Sequence, residues 1–249
     1  MSDMQYVPPP PPVPPAPPRT SEPSFDFAKP FTFVFDDPRW MPKILIGGLF
    51  YLAATFIVGW FFMMGYFAQM VRNVIRGDEH PLPEWENLAT LFNEGLRLVG
   101  VVLCWVLPIL LLVCAFIVPM IVFGAADSDE MNMFGSGLAG CMACLIVPLA
   151  LAVTFFMPAS LLFATVEQRF GAAFEFRRIW PFIKANIGNY LLAIVVYLIA
   201  RMLGGFGVVL LCIGVIFTAF WAFLITGHAF AQVYRLAVTP SPVPPTPQV

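Results

Sequence analysis

Charge is what this sequence is short of. Lys, Arg, Asp and Glu make up 11% of its 249 residues, against about 25% in an average protein. That is too few to solvate the surface of a water-facing domain. The bases form no broad basic face, which argues against a nucleic-acid partner. Histidine is scarce, at two residues. The five cysteines, Cys104, Cys114, Cys141, Cys144 and Cys212, all sit in apolar stretches. An odd count in such places is no disulfide framework. Cys141 and Cys144 form a C-x-x-C, but a metal site needs further ligands, and His80 and His228 lie in other contexts. Helix packing is the expected role of these thiols, and no cofactor is expected. A Ser-His-Asp set, an H-E-x-x-H helix, a P-loop and a Gly-rich dinucleotide fingerprint are missing from the sequence. With no paired acid and base to move protons, no enzymatic activity is expected.

What the sequence has is hydrophobic length. Four apolar blocks cover residues 42–71, 96–124, 138–166 and 190–234. A run of about 18 or more apolar residues is long enough to cross a hydrocarbon core of about 30 Å. The expected fold class is therefore all-α: a polytopic transmembrane helical bundle spanning residues 25–238. The last block, as one helix, would be more than about 65 Å long, so it must fold back. Gly204-Gly205-Phe206-Gly207 is the natural hinge, giving segments 190–203 and 208–234. Pro108, Pro119, Pro148 and Pro158 fall inside the middle blocks, where neighbouring helices or water can satisfy the freed carbonyls.

Disordered tails flank the bundle. Residues 1–24 and 239–249 are proline-rich, a composition that favours polyproline II and cannot build a core. They are expected to be exposed linkers and spacers, with docking onto an aromatic groove of a cytosolic protein as the less favoured reading. Residues 1–20 lack the basic, apolar, small-residue order of a secretory signal, so the first apolar block is expected to be the internal one. Between tail and block, Phe25, Phe27, Phe31, Phe33 and Phe35 alternate with other residues, which predicts an extended strip with one apolar face at the membrane surface.

Charge sets the expected orientation, because loops on the cytoplasmic side collect Lys and Arg. Arg72, Arg76 and Arg97 follow the first block, and Arg169, Arg177, Arg178 and Lys184 follow the third; Asp127, Asp129 and Glu130 lie between the second and third. The basic segments are then inside and the acidic loop outside. Arg19, Lys29, Arg39 and Lys43 precede the first block and should be inside as well. A single tilted span over residues 42–71 cannot satisfy both of its flanks. A re-entrant pair of half-helices turning near residues 53–59 can, and the charge pattern favours it.

The two basic segments read as interfacial amphipathic helices. In residues 84–96, Trp85, Leu88, Leu91, Phe92 and Leu96 share one helical stripe. In residues 167–186, Phe170, Phe174, Phe176, Ile179, Trp180 and Ile183 supply the apolar face. Arg177, Arg178 and Lys184 then face headgroups, where each base attracts anionic lipid by about 1 kcal/mol. Glu94 and Glu167 are placed to pair with Arg97 or Arg169. Candidate functional or lipid-facing residues are Arg72, Arg76, Trp85, Arg177, Arg178, Lys184, Arg201 and His228. Arg201 reads as a base snorkelling to the outer interface and His228 as a satisfied interfacial histidine. Membrane lipids are the expected partners.

Several motifs carry a resemblance. They are Asp37-Pro38-Arg39-Trp40-Met41-Pro42-Lys43 running into Gly47-Gly48, then Gly65-Tyr66, Arg72, Arg76 and Gly77-Asp78-Glu79. Leu82-Pro83-Glu84-Trp85, Leu91-Phe92-Asn93-Glu94-Gly95-Leu96, Ala173-Phe174-Glu175-Phe176 and Asn189-Tyr190 complete them. In these the chain resembles a prokaryotic membrane family known only as a domain of unknown function, number 4013. The resemblance implies a multi-pass protein of the cytoplasmic membrane with no assigned activity. A non-enzymatic scaffold or envelope-associated component is the leading expectation. A small-solute transporter or channel subunit is the alternative, supported by the Pro- and Gly-broken helices. In a cysteine-free background, single cysteines at Thr20 and Asn73 should resist a membrane-impermeant thiol reagent in intact cells, and one at Asp129 should label. Labelling at Thr20 would make the first block a single span.

Overall fold

The structure, a computed structural model, describes residues 24–124, 129–207 and 214–239. Most of both proline-rich tails, Asp127 and Cys212 lie outside the described residues. The described part is all-α, and no strand occurs in it. The helices are α1 (Lys29–Thr32), α2 (Trp40–Ala53), α3 (Val58–Arg76), α4 (Leu88–Gly124), α5 (Asp129–Val166), α6 (Phe176–Ala185), α7 (Ile187–Phe206) and α8 (Gly214–Val238). Among the described residues, four stretches are long and apolar enough to cross a membrane: Leu88–Ile117, Gly140–Val166, Ile187–Phe206 and Gly214–Val238.

The first apolar block is broken. A 3-10 turn at Ala54–Phe56 separates α2 from α3, and Ile57 follows it at φ 70°. A β-branched residue in that region costs on the order of 1–3 kcal/mol, so packing must hold the turn closed. It does so through Gly59, which is seated against the Phe50 carbonyl and the Ala53–Ala54 backbone with no room for a Cβ. Phe50 and Phe62 meet one turn further down at 4.9 Å. The two helices are thus an antiparallel hairpin. Both halves lie on α8, where Gly47 and Gly48 receive Phe220 and Phe217. Tyr66 sits 5.8 Å from Phe220, Phe67 sits 4.8 Å from Phe223, and Gly77 meets Arg235. α3 and α8 therefore run parallel, and continuing their register places the Ala54–Ile57 turn level with the first residues of α8. The hairpin is as deep as the α7–α8 pair beside it.

α3 ends where Gly77 adopts φ 84° and its N–H reaches back to the Asn73 carbonyl at 3.1 Å, the left-handed cap that glycine accepts without strain. α3 and α4 approach through Gly65 and Gly95, each pressed against the other helix's backbone at Leu91 and Phe61. α7 and α8 form a second antiparallel hairpin, with Tyr190 against Phe230 at 5.3 Å and Gly204 against Ala222. The spanning windows of α4 and α5 fully bury only 11% and 6% of their residues, and the two helices pack on each other along a half-buried stripe that includes Trp105, Ile109 and Phe116 of α4 and Met142 and Ile146 of α5, with the other faces outward.

Two expectations need correction. Residues 25–40 are not an extended strip. Asp26 Oδ1 accepts the Ala28 and Lys29 amides at 3.0 and 3.1 Å, Pro30 opens α1, and the chain coils down onto α8 with Phe33 and Val34 fully buried. Nor do residues 84–96 form an interfacial helix of their own. Residues 84–87 are irregular, because Trp85 is drawn inward, and the helix begins at Leu88, where Asn87 Oδ1 caps the Thr90 amide at 3.2 Å.

The glycine contacts make a test. Gly65→Ala forces a methyl into the Leu91 backbone and should cost about 1–3 kcal/mol, as overpacking does. Gly140→Ala, with nothing within 4 Å of the added carbon, should be neutral or mildly stabilising. Thermal unfolding in detergent compares them.

Candidate functional site

Sequence position gives little hint that the charged residues of this bundle would gather in three groups. The first is buried. Lys43, in the first turn of α2, has only 6% of its side chain exposed, and its ammonium donates to Asp37 Oδ2 at 2.6 Å and to the Leu82 carbonyl at 2.9 Å. It pairs with Glu84 Oε1 at 2.7 Å, and Arg39 pairs with the same carboxylate at 2.8 Å. The ammonium thus has two hydrogen bonds and a second carboxylate at ion-pair distance, and two cations face two carboxylates, which is what makes burial of the charge tolerable. Burial pushes the Asp37 carboxyl up, but the hydrogen bonds from Lys43 and the Arg39 amide outweigh it and hold Asp37 below the ordinary carboxylate range. Trp85 closes the group. Its indole N–H donates to the Lys43 carbonyl at 3.0 Å, and its ring lies between Tyr66 at 4.2 Å and Phe50 at 4.8 Å. Expected to face lipid, Trp85 instead pins the 78–87 segment onto the α2–α3 hairpin.

The second group joins α3 to α4. Arg72 Nη2 reaches both oxygens of Glu94 at 2.6 and 2.7 Å, with both side chains 16% exposed. Glu94 therefore pairs with Arg72 rather than Arg97. Arg97 instead donates to the Gln168 carbonyl at 2.7 Å. Arg76 stays outside, bonded to Asn73 and to Asp78 at 3.0 Å.

The third group is a closed square on the segment after α5. Arg169 pairs with Glu167 at 2.6 Å and Glu175 at 2.9 Å, and Arg178 pairs with the same two at 2.6 and 2.8 Å. Hydrogen bonds from Arg178 and then Arg169 hold both carboxyls below their usual range. The square neutralises Arg178, which was expected to face headgroups, and fastens a 3-10 turn at Phe170–Phe174 to α6. On α6, Ile179 and Ile183 are fully buried, while Arg177, Trp180 and Lys184 are exposed. The Lys184 ammonium lies 4.9 Å over the Trp180 ring. α6 continues through Pro181, sixth of its ten residues, whose ring nitrogen has no N–H to give the Arg177 carbonyl.

The remaining candidates lie apart. Arg201 is exposed on α7 and makes no side-chain bond to a described residue. His228, near the end of α8, is 5% exposed and stacked on Phe33 at 4.3 Å. Sequence reasoning missed Lys43, Asp37 and Glu84; the visible signal was a Lys at the start of an apolar helix with an acid six residues before it.

Four membrane-length apolar helices around such a bundle are the build of an integral membrane protein. A family model described as "Protein of unknown function (DUF4013)" matches residues 48–217, and the chain belongs to that family. No curated protein and no solved structure matches it.

Lys43→Met leaves Asp37 and Glu84 buried without their cation and should cost about 3–5 kcal/mol, with part recovered by adding Asp37→Asn. The pH dependence follows from the lowered Asp37 pKa. Its contribution is complete above the unfolded-state value of about 4 and is lost as pH falls through the lower folded value. Asp37→Asn should flatten the acid limb of a stability–pH profile.

Proposed function

We propose that this protein is a non-enzymatic scaffold of the prokaryotic cytoplasmic membrane, whose α6 end faces the cytosol and engages anionic lipid. The observation that carries the reading is the exposed face of α6. The ion square consumes Arg169 and Arg178, so Arg177 and Lys184 are the bases on α6 left without a carboxylate. Around them Phe170, Phe176, Trp180 and Ile187 are each more than 40% exposed. Bases with aromatic rings at the root of a spanning helix are what a headgroup layer accommodates. The Lys184–Trp180 contact suits that boundary, where the ring is half in hydrocarbon and the ammonium stays wet.

In this reading the hairpin α2–α3 crosses to the depth of α7–α8 and returns. The N-terminal segment, the 72–97 segment, the 167–186 segment and Arg235 then share the cytosolic face. Contacts that support this gathering are Gly77 with Arg235, Phe163 with Tyr234 and Arg97 with Gln168. The proline-rich composition of residues 1–24 and 239–249 suits recognition by an aromatic groove of a cytosolic protein. The Arg72–Glu94–Arg97 group favours the alternative of a solute pathway, since ionisable residues at membrane depth often mark one. The bases on α6 have no role in such a pathway.

The test is lipid retention. Arg177→Gln with Lys184→Gln removes two bases worth about 1 kcal/mol each, so anionic-lipid affinity should fall roughly 30-fold. Native mass spectrometry with phosphatidylglycerol reads the loss, and neutral phosphatidylcholine should bind the variant as well as it binds the parent. Unchanged phosphatidylglycerol retention would remove α6 as the lipid contact.

A further inference from the structure

A cleft of about 310 Å³ opens where three separate stretches of chain meet, away from α6. The N-terminal segment contributes Asp26, Lys29 and Phe33, the turn after α3 contributes Glu79, and the end of α8 contributes His228 and Arg235. Its size is at the lower end of the range for small-molecule sites, about 300–1,000 Å³.

The wall of the cleft carries a preset donor. The Asp26 amide donates to Gln232 Oε1 at 3.1 Å, and Gln232 Nε2 donates to the Asp26 carbonyl at 3.2 Å. This two-way bond fixes which end of the Gln232 amide is nitrogen. The same Nε2 lies 3.3 Å from His228 Nδ1 and donates to it. A ring nitrogen that accepts carries no proton, so the imidazole proton is on Nε2. That N–H makes no bond to a described residue, although His228 is only 5% exposed and is held flat against Phe33. The ring is fixed, and its open donor belongs to a side chain that lines the cleft.

The charges around it divide into engaged and open. Lys29 is held by Asp36 at 2.8 Å and Asp78 by Arg76 at 3.0 Å. Arg235 and Glu79 make no ion pair with a described residue, nor with each other, and both line the cleft. Gly77 leaves space for the Arg235 guanidinium, whose Nη2 a Cβ there would meet at 2.9 Å. Asp26 spends Oδ1 on the Ala28 and Lys29 amides, and its Oδ2 is open. The cleft thus offers open donors at Arg235 and His228 and open acceptors at Glu79 and Asp26.

We infer that this cleft binds an aminoalkyl phosphate: a primary ammonium held by Glu79 and Asp26, joined by a short linker to a phosphate held by Arg235 and the His228 Nε2–H. A guanidinium and an imidazole N–H suit phosphate oxygens, and carboxylates suit an ammonium with hydrogens to donate. The headgroup of an aminophospholipid and a soluble phosphoethanolamine share this chemistry. The inference is independent of the α6 reading, since it uses no residue of that helix.

The full chain in detergent micelles, titrated with O-phosphoethanolamine in a calorimeter, should bind saturably. Arg235→Gln and Glu79→Gln should each weaken binding by about tenfold or more, the effect of deleting one charged hydrogen-bonding partner. Both side chains are exposed and unpaired, so the melting temperature without ligand should not change. Phosphocholine, with no N–H on its nitrogen, should bind at least about tenfold more weakly. In nanodiscs, loss of the soluble site with phosphatidylethanolamine but not with phosphatidylcholine would assign it to the lipid headgroup, and retention in both would assign it to the soluble compound. Absence of saturable binding, equal affinity in both variants, or equal affinity for phosphocholine would overturn the proposal.

Discussion

The Lys43 ammonium is the fixed point of this fold. It lies at the root of an apolar helix and is almost wholly removed from water, so each of its three hydrogens must find an acceptor. Asp37 lies just before α2, while the Leu82 carbonyl and Glu84 come from the far side of α3. Satisfying one cation therefore ties three stretches of chain together. Trp85 is carried in by the same arrangement, and its ring fills the space between Tyr66 and Phe50. The α2–α3 hairpin thereby closes at both ends, by glycine packing at the turn and by an ion group at the foot.

Polar chemistry and apolar surface are divided along the molecule. The ion group around Lys43, the Arg72–Glu94 pair, the square around Glu167 and the cleft below His228 belong to the end where the chain's basic segments meet. The outer lengths of α4 and α5 pack on each other and bury few residues fully. Lipid is a suitable solvent for such helices, since their backbone bonds are satisfied within each helix. The polar end, by contrast, carries fixed side chains, open donors and acceptors, and exposed aromatic rings.

The long apolar helices were legible because lipid demands an unbroken run of apolar residues, which hydropathy measures directly. The break in the first block was legible as a conflict between the charges on its two flanks. Local patterns misled where a long-range contact won. The alternating phenylalanines of residues 25–35 read as a strip, yet Phe33 and Val34 serve as anchors on α8. The stripe through Trp85 and Leu88 read as one helix, yet Trp85 found a better place between two rings before the helix began. Arg178 read as a headgroup ligand because its carboxylate partners, eleven and three residues before it, become neighbours only when the chain turns at Phe170–Phe174.

The sequence by itself determined the solvent of this protein, its helical class and which segments carry base or acid. Those properties are sums over neighbouring residues and do not depend on how the helices meet. Tertiary structure alone decided which charges are spent and which are open. Lys43, Arg72, Arg169 and Arg178 are consumed by carboxylates, while Arg177, Lys184, Arg235 and the His228 Nε2–H are left facing outward or into a cleft. A charge is neutralised by whatever lies within a few ångströms of it, and that distance is set by packing between segments far apart in the chain.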